Sequence, residues 1–589
     1  MTWSKRSRIL LLTLIMVTGL SGCVITKPAM NNTVISGNNI VADKEPTPDI
    51  SQAALKDDPY IYLEDTDNAI VTMYLTVSRG SAAENTDHSW SEVNGYSIYD
   101  YEKMGVERYQ VEGLLQVGDK TGPLAGQLGF GLNIPNATVQ IRGATTSRMP
   151  QKSYKIELKS NAENFRQQRT IALNKHVFDG LRFRNKLCYD LIQDIPDMVS
   201  LRTQFVHLYV KDETEKSGNK FVDYGLYTQV EQPNTRFLRN HGLDSNGQFY
   251  KMNFFEFARY PEQIKLKSED GYNLKDFENL LEVKGNDDHS KLIAMLDDLN
   301  NELKPIEVVF EKHFDADNYF TWLAFNILTG NIDTQSRNFY LYSPQNSEKW
   351  YFINWDCDAA LMREESGDTT ADTIGFEYGI CNYWGDVIFN RVMRLPQYRA
   401  ALDQKIEEMR KIITPQRIYT MADSYASLIK EYLYRMPDQL YCEYTSEAYD
   451  QMVKKLGDEV ELNYRLYKQS LEVPMPFYVD VPLSKDGELV FKWDPSFDLD
   501  GQDITYSFVL SRDHQGKDVI FKQDGLSFPT VTTNGLKAGK YFFHVQATNE
   551  DGKTQVAQPY YVFDNTKFFG TQCFYVLDDG TVQLEQTYE

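Results

Sequence analysis

Four side chains between residues 333 and 358 have the types and spacing to manage phosphate chemistry: Asp333, Asn338, Asp356 and Asp358. Asp333 and Asn338 are five positions apart in the run Asn331-Ile332-Asp333-Thr334-Gln335-Ser336-Arg337-Asn338. Phe339 to Tyr342 then reads as a strand, Ser343 to Lys349 as a turn and Trp350 to Asn354 as a returning strand, with Asp356-Cys357-Asp358 directly after it. Two antiparallel strands of about equal length return the chain to its starting end. Asn338 enters at that end and Asp356 leaves from it, so Asp333, Asn338 and Asp356 can meet at one edge of a sheet. An Asn and an Asp supply hard oxygen donors, which suit Mg²⁺; that ion takes few protein ligands and completes its shell with phosphate oxygens and water. Mn²⁺ fits the same donors. Asp333, a carboxylate beside such an ion, has the chemistry of a general base. The competing reading is that these residues cap helices, make turns and sit on a solvated loop.

The elements that must position these groups are legible on either side. Phe320, Leu323, Ala324, Ile327 and Leu328 form one helical face, and Gly330 is placed to end that helix. Helix, D-x-x-x-x-N, hairpin and acid is also the order of catalytic elements in a protein kinase. Here no His-Arg precedes Asp333 and no Phe-Gly follows Asp356. Upstream, residues 141–188 hold eleven Lys or Arg against three acids, inside a chain of net charge −23. A local positive field can hold a polyphosphate however acidic the rest is. Arg142-Gly143-Ala144-Thr145-Thr146-Ser147 lies between two predicted strands, where amides and hydroxyls can cradle phosphate. Lys152 begins the strand Ser153 to Leu158 and is placed to pair with phosphates, with Asp190 or Glu231 as its acid partner. A solvated basic face is the alternative, and the chain holds neither a G-x-G-x-x-G nor a Walker A loop.

The whole chain sets the frame. At roughly 150 residues per domain, 589 residues make about three or four domains. Apolar residues at 42% are enough for sizeable cores. The net charge excludes nucleic acid as a general partner, and six cysteines with no CxxC pair exclude a disulfide scaffold or a simple zinc site. Residues 1–22 read as an export signal: Lys5, Arg6 and Arg8, an apolar run from Ile9 to Val17, then Leu20-Ser21-Gly22-Cys23, which resembles a bacterial lipobox with Cys23 as the lipidated residue. Residues 23–59 are a polar tether. Residues 60–290 are β-rich and include the basic island. Residues 291–471 are mainly helical around the hairpin, with helix candidates at 291–303, 318–329, 385–395, 398–413, 415–434 and 446–471. Residues 472–565 return to short strands with Asp-Gly turns, a β-sandwich pattern, and 566–589 are a tail. The fold class is therefore α+β with a C-terminal β-sandwich.

Several motifs in consistent order carry a family resemblance: Ile141-Arg142-Gly143 with Gln151-Lys152-Ser153-Tyr154-Lys155, Arg184-Asn185-Lys186-Leu187, Tyr224-Gly225-Leu226-Tyr227 with Glu231, Asn331-x-Asp333-x-x-x-x-Asn338 and Trp355-Asp356-Cys357-Asp358. Residues 70–470 thereby resemble the spore coat protein H (CotH) kinases. The resemblance implies an atypical kinase-like body, a β-rich and a helical lobe, that transfers the γ-phosphoryl of ATP to serine on proteins. Carried over by motif, Asp333 is the catalytic aspartate, Asn338 and Asp356 are metal ligands with Asp358 as a second acid, and Lys152 is a nucleotide contact, with Arg142 beside it. Trp493 and the strand led by Tyr506 resemble a fibronectin type III module. The expectation is a Mg²⁺- and ATP-dependent kinase, lipid-anchored outside the cell membrane, with a protein acceptor at the envelope. Two other readings compete with it: a transferase using a nucleotide sugar at Asp356-x-Asp358, and a surface adhesion lipoprotein with an inactive kinase-like body.

Overall fold

The computed structural model describes residues 55–63, 65, 69–215, 220–564 and 566–585; Cys23, the export signal and most of the tether read from the sequence lie outside the described residues. Eight strands come first: β1 (Ile70–Ser78), β2 (Val111–Asp119), β3 (Gly122–Pro123), β4 (Ala137–Arg142), β5 (Ser153–Leu158), β6 (Thr170–Asn174), β7 (Thr203–Asp212) and β8 (Val222–Glu231). They pair in the order β1-β7-β8-β6-β5-β4-β2-β3, and β1 also pairs with β2, Leu75 opposite Leu115, so the sheet closes on itself. Closure leaves no long edge to pair with another chain. Alternation decides what faces where: Val139, Ile141, Tyr154, Ile156, Ile171 and Leu173 fill the interior. Gln140, Arg142 and Lys155 fall between them on the outer face, Gln140 opposite Lys155 and Arg142 opposite Ser153. The strand-like reading of residues 70–159 passes over two short helices, Trp90–Gly95 and Ile98–Met104. Each opens on a serine that makes a reciprocal capping box, Ser89 with Glu92 and Ser97 with Asp100, and this local bonding outweighs the β-pattern around it.

A second sheet joins the hairpin to the preceding segment. Strands β9 (Gln248–Met252), β10 (Leu281–Val283), β11 (Phe339–Ser343) and β12 (Tyr351–Asn354) lie in the order β10-β9-β11-β12, with Tyr340 opposite Lys251. The division expected at residue 290 therefore does not hold. Phe249, Tyr250 and Met252 share one core with Trp322, Phe339 and Phe352, so residues 248–283 belong with the helical part. Helices Ala316–Thr329, Pro396–Ile412, Pro415–Leu433 and Asp458–Ser470 enclose that core. The helix expected over 446–471 is two, broken at Gly457, where an added Cβ would stand 2.4 Å from the Pro415 carbonyl oxygen. Among the described residues no helix is long and apolar enough to cross a membrane.

The C-terminal part has β13 (Leu483–Lys485), β14 (Glu488–Lys492), β15 (Thr505–Ser511), β16 (Val519–Leu526), β17 (Thr530–Asn534), β18 (Gly539–Thr548), β19 (Thr554–Val556), β20 (Tyr560–Phe563), β21 (Thr566–Phe569), β22 (Thr571–Val576) and β23 (Val582–Leu584). Sheet β13-β14-β17 and sheet β16-β15-β18-β22-β23 share a core of Phe491, Trp493, Phe508, Phe543 and Phe574. Residues 566–589 were expected as a tail. Instead β22 pairs with β18, Tyr541 opposite Phe574, because Cys573, Phe574 and Val576 have apolar side chains to bury. Strands β20 and β21 form a separate two-stranded hairpin, Tyr560 opposite Phe569.

Candidate active site

The helix Ala316–Thr329 opens on Asp315, whose carboxylate accepts from the Asn318 amide at 2.9 Å, and stops at Gly330 in the left-handed conformation, φ 62°. One 3₁₀ turn, Ile332–Thr334, then carries Asp333. Its position is fixed by a buried amide cluster. The side-chain oxygen of Asn326 accepts from Asn331 Nδ2 at 3.1 Å and from Asn354 Nδ2 at 2.9 Å. The turn before Asp333 and the strand end before Asp356 thus hang from one side chain. Each such bond contributes about 1 kcal/mol net, whereas losing one partner strands a buried polar group at a cost of about 1–3 kcal/mol.

The hairpin forms with Phe339 opposite Asn354, and the Trp355 amide donates to the Asn338 carbonyl at 3.1 Å. Asn338 and Asp356 flank this last rung. Both are left-handed, φ 58° and 55°, a conformation that Asn and Asp tolerate better than most residues. The chain therefore leaves the ladder at both positions on the same end. The Asp356 amide donates to Tyr189 Oη at 3.0 Å and the Cys357 amide to Asn185 Oδ1 at 3.2 Å, so the helix Arg184–Ile192 props the acidic loop from behind. That helix is anchored in turn: Arg184 is fully buried, bonds Asp179 at 2.5 Å and the Leu361 carbonyl at 3.0 Å, and pairs with Glu365.

Charge at this end is unbalanced. Burial, and then the neighbouring Asp358, push the Asp356 carboxyl up to about 7; His176 and Arg142 oppose the shift and Asp333 adds to it. Among the described residues no donor reaches the Asp356 carboxylate. His176 Nδ1 lies 3.9 Å from Asp358 Oδ2, while its Nε2 is buried without a hydrogen-bond partner. Burial lowers the Arg142 pKa against the field of Asp356; its guanidinium bonds Asn174 and lies 5.9 Å from the Trp355 ring centroid. Arg337 Nη2 donates to Asp333 Oδ1 at 3.0 Å, and Asp333 is the largest cause of its raised pKa. Among the described residues no three His, Cys, Asp or Glu side chains are grouped to hold an ion by themselves. Asp356, Asp358 and Asn338 sit on adjoining backbone at the hairpin end, and two carboxylates with an amide have the donor chemistry of a hard cation that keeps water or phosphate in its shell; a half-buried carboxyl with a raised pKa is the group such a cation would relieve.

The structure brings Arg142, Asp333, Asn338, Asp356 and Asp358 to one place, and leaves Lys152 outside it. The Lys152 amine donates to the Ser147 carbonyl at 2.6 Å, and burial lowers its pKa with Asp100 as the opposing charge. Neither expected acid partner meets it. Asp190 pairs with Lys186 at 2.7 Å, and Glu231 with His241 at 2.9 Å. Most of the basic island is spent on packing: Lys159 meets Glu112 at 2.5 Å, Lys175 meets Asp438 at 2.7 Å, Arg166 meets Asp65 at 3.4 Å and Arg148 stacks on Tyr99. Sequence reasoning missed Arg337, His176 and Tyr189. Arg337 had a signal, its place between Asp333 and Asn338. His176 and Tyr189 had none, since their partners are more than 160 positions away. All five described cysteines are free, and the Cys188 thiol is pushed up first by its hydrogen bond to Cys357 and then by burial.

The family described as CotH kinase protein matches residues 139–467, more than half of the chain and all of the site above. Among curated proteins, inner spore coat protein H of Bacillus subtilis (strain 168) is 26% identical over 238 residues, which is 40% of this chain and 61% of that protein. The chain thus spans less than two thirds of this relative's length.

Proposed function

The chain belongs to the CotH kinase protein family, and from that premise we propose that it transfers the γ-phosphoryl group of ATP to serine hydroxyls on proteins. The observation that carries the proposal is the last rung of the hairpin: Asn338 and Asp356 leave it side by side, and Asp358, Arg142 and Asp333 all act on the Asp356 carboxyl. The outer face of the closed sheet and the hairpin end form the two walls of a kinase-like cleft. Asn338, Asp356 and Asp358 are the groups that would hold Mg²⁺. When bound, the ion supplies charge neutralisation to the phosphate oxygens and a fixed point for their orientation. Arg142 faces the nucleotide phosphates from the closed sheet. Asp333 orients the serine hydroxyl and accepts its proton, while Arg337, bonded to it, holds that carboxylate and lends a positive charge to the phosphoryl group in transit. Such a transition state is loose, so positioning and electrostatics carry the rate.

The relative's name supports an acceptor in a coat or envelope, and a lipid anchor at Cys23 would keep the body outside the cell membrane. The C-terminal sandwich, with Trp493 in its core, is a fibronectin type III-like module. The test is incubation of the purified chain with ATP and Mg²⁺, read by mass spectrometry for phosphoserine, beside Asp333→Ala. Transfer by the wild type and none by the variant is expected. Absence of phosphoserine together with turnover of UDP-sugars would replace the proposal with the nucleotide-sugar reading, and absence of both would leave binding.

A further inference from the structure

The C-terminal sandwich lies outside the residues matched by the family, yet it reaches the catalytic turn. Hairpin β20–β21 packs on the segment Gly375–Gly385. The Phe569 ring lies 2.3 Å from where a Cβ on Gly375 would stand, a position held at φ 61°, and makes an edge contact with Phe376 at 5.8 Å. Lys567 Nζ meets Glu377 Oε1 at 2.7 Å, both side chains nearly buried, and lies 4.8 Å from the Tyr560 ring centroid. Gln555 Nε2 donates to Cys381 Sγ at 3.5 Å. The same segment then grips the turn that carries Asp333. Asn382 Nδ2 donates to the Ile332 carbonyl at 3.1 Å, and the Tyr383 and Thr334 hydroxyls are 2.9 Å apart. Burial works against the Lys567 charge, but Glu377, Tyr560 and Asp333 outweigh it; Tyr560 likewise acts on Arg337.

Resting on the kinase reading, we propose that Lys567 and hairpin β20–β21 are part of the transfer site: a positioning element that clamps residues 375–385, fixes the Asp333 turn through Ile332 and Thr334, and walls the side from which the acceptor polypeptide approaches. The sandwich is then a component of catalysis and not an appended binding module. Arg142 is held on the closed sheet by Asn174 and lies over Trp355, contacts that do not involve the clamp, so nucleotide binding is expected to survive its loss. Phosphoryl transfer does, because an acceptor hydroxyl displaced by about 1 Å from its base loses up to about a hundredfold in rate.

The test uses the full chain with Lys567→Met, Lys567→Arg and, as a control, Lys553→Met, which breaks a different ion pair of the C-terminal part, the exposed Lys553–Glu472 pair at 2.8 Å where the sandwich follows the last helix. Three quantities are read: kcat for phosphoserine formation, affinity for a fluorescent ATP analogue with Mg²⁺, and amide hydrogen exchange of residues 330–338 without nucleotide. Lys567→Met is expected to lower kcat by about tenfold to a hundredfold, to keep nucleotide affinity within about twofold, and to speed exchange in 330–338. Lys567→Arg restores both, and Lys553→Met changes neither. Wild-type kcat and unchanged exchange in Lys567→Met would overturn the proposal. A wild-type chain that transfers nothing would sink the kinase reading alone; the exchange measurement then still decides whether the clamp holds the turn.

Discussion

The basic island and the hairpin end are both built from charged and polar residues, cations in one and chiefly acids in the other, and they behave in opposite ways. Between residues 141 and 188 cations are dense in sequence, and nearly every one is matched within the fold: Lys175 with Asp438, Lys186 with Asp190, Arg184 with Asp179 and Glu365. At the hairpin end charges are sparse in sequence; Asp333 has Arg337, but the Asp356 carboxylate has no such partner, and burial with Asp358 lifts it to about 7. Charge density along a chain thus says little about the field at a site. What counts is whether each charge has been desolvated with a partner or without one. The island stabilises; the hairpin end stores electrostatic cost that a cation and a nucleotide can relieve.

The sharpest way to break this contrast is to neutralise one acid at the hairpin end and one cation in the island. Asp333→Ala is expected to lower phosphoserine formation by about a hundredfold to ten-thousandfold, the range of a lost general base, while nucleotide binding survives; transfer at the wild-type rate would remove Asp333 from its role. Arg184→Met leaves Asp179 and Glu365 buried without their cation, so a stability loss of about 3–5 kcal/mol is expected in denaturant unfolding. Asp356→Asn should do the reverse, because it removes a buried charge that lacks a donor. Linkage gives the sign. A carboxyl whose folded pKa is raised to about 7 makes the metal-free fold most stable below the unfolded value near 4, and that stability is lost as pH rises towards 7. Stability measured from pH 4.5 to 7.5 should therefore fall for the wild type, flatten in Asp356→Asn, and flatten in the wild type when Mg²⁺ is added. A wild-type curve unmoved by Mg²⁺ would argue against an ion at Asp356.

Much of the hairpin was legible because its logic is local. Equal strands and a short turn force Asn338 and Asp356 to one end whatever surrounds them, and the helix before Asp333 announces itself by its apolar face and Gly330. Lys152 and Arg142 were not separable in the same way. Both border the β4–β5 connection, and only the register, Arg142 opposite Ser153 on the outer face, turns one towards Asp356, while Ser147 captures the other. The segment expected as a tail was misread for a related reason. Strand β22 is short and lies close to the chain end, and its apolar Cys573, Phe574 and Val576 find burial only where β18 offers an edge. Partners distant in sequence, such as Asn185 under Cys357 or Lys567 on Glu377, leave no spacing to read.

The smallest expected effects sharpen the comparison most, since they separate the island cations proposed to meet a nucleotide from those that serve the fold alone. Lys152→Met should leave nucleotide affinity within about twofold, and Arg142→Met should weaken it by about tenfold, roughly 1.4 kcal/mol. Lys155 is the intermediate case. By register it shares the outer face with Arg142, yet it makes a 2.6 Å ion pair with the exposed Glu157 two residues away. An exposed pair of that kind is worth about 0–1 kcal/mol, so Lys155→Met should hardly change unfolding. Loss of affinity by a few-fold without loss of stability would then mark Lys155 as a cation the fold does not need, and unchanged affinity would leave Arg142 as the single residue by which the island serves the site.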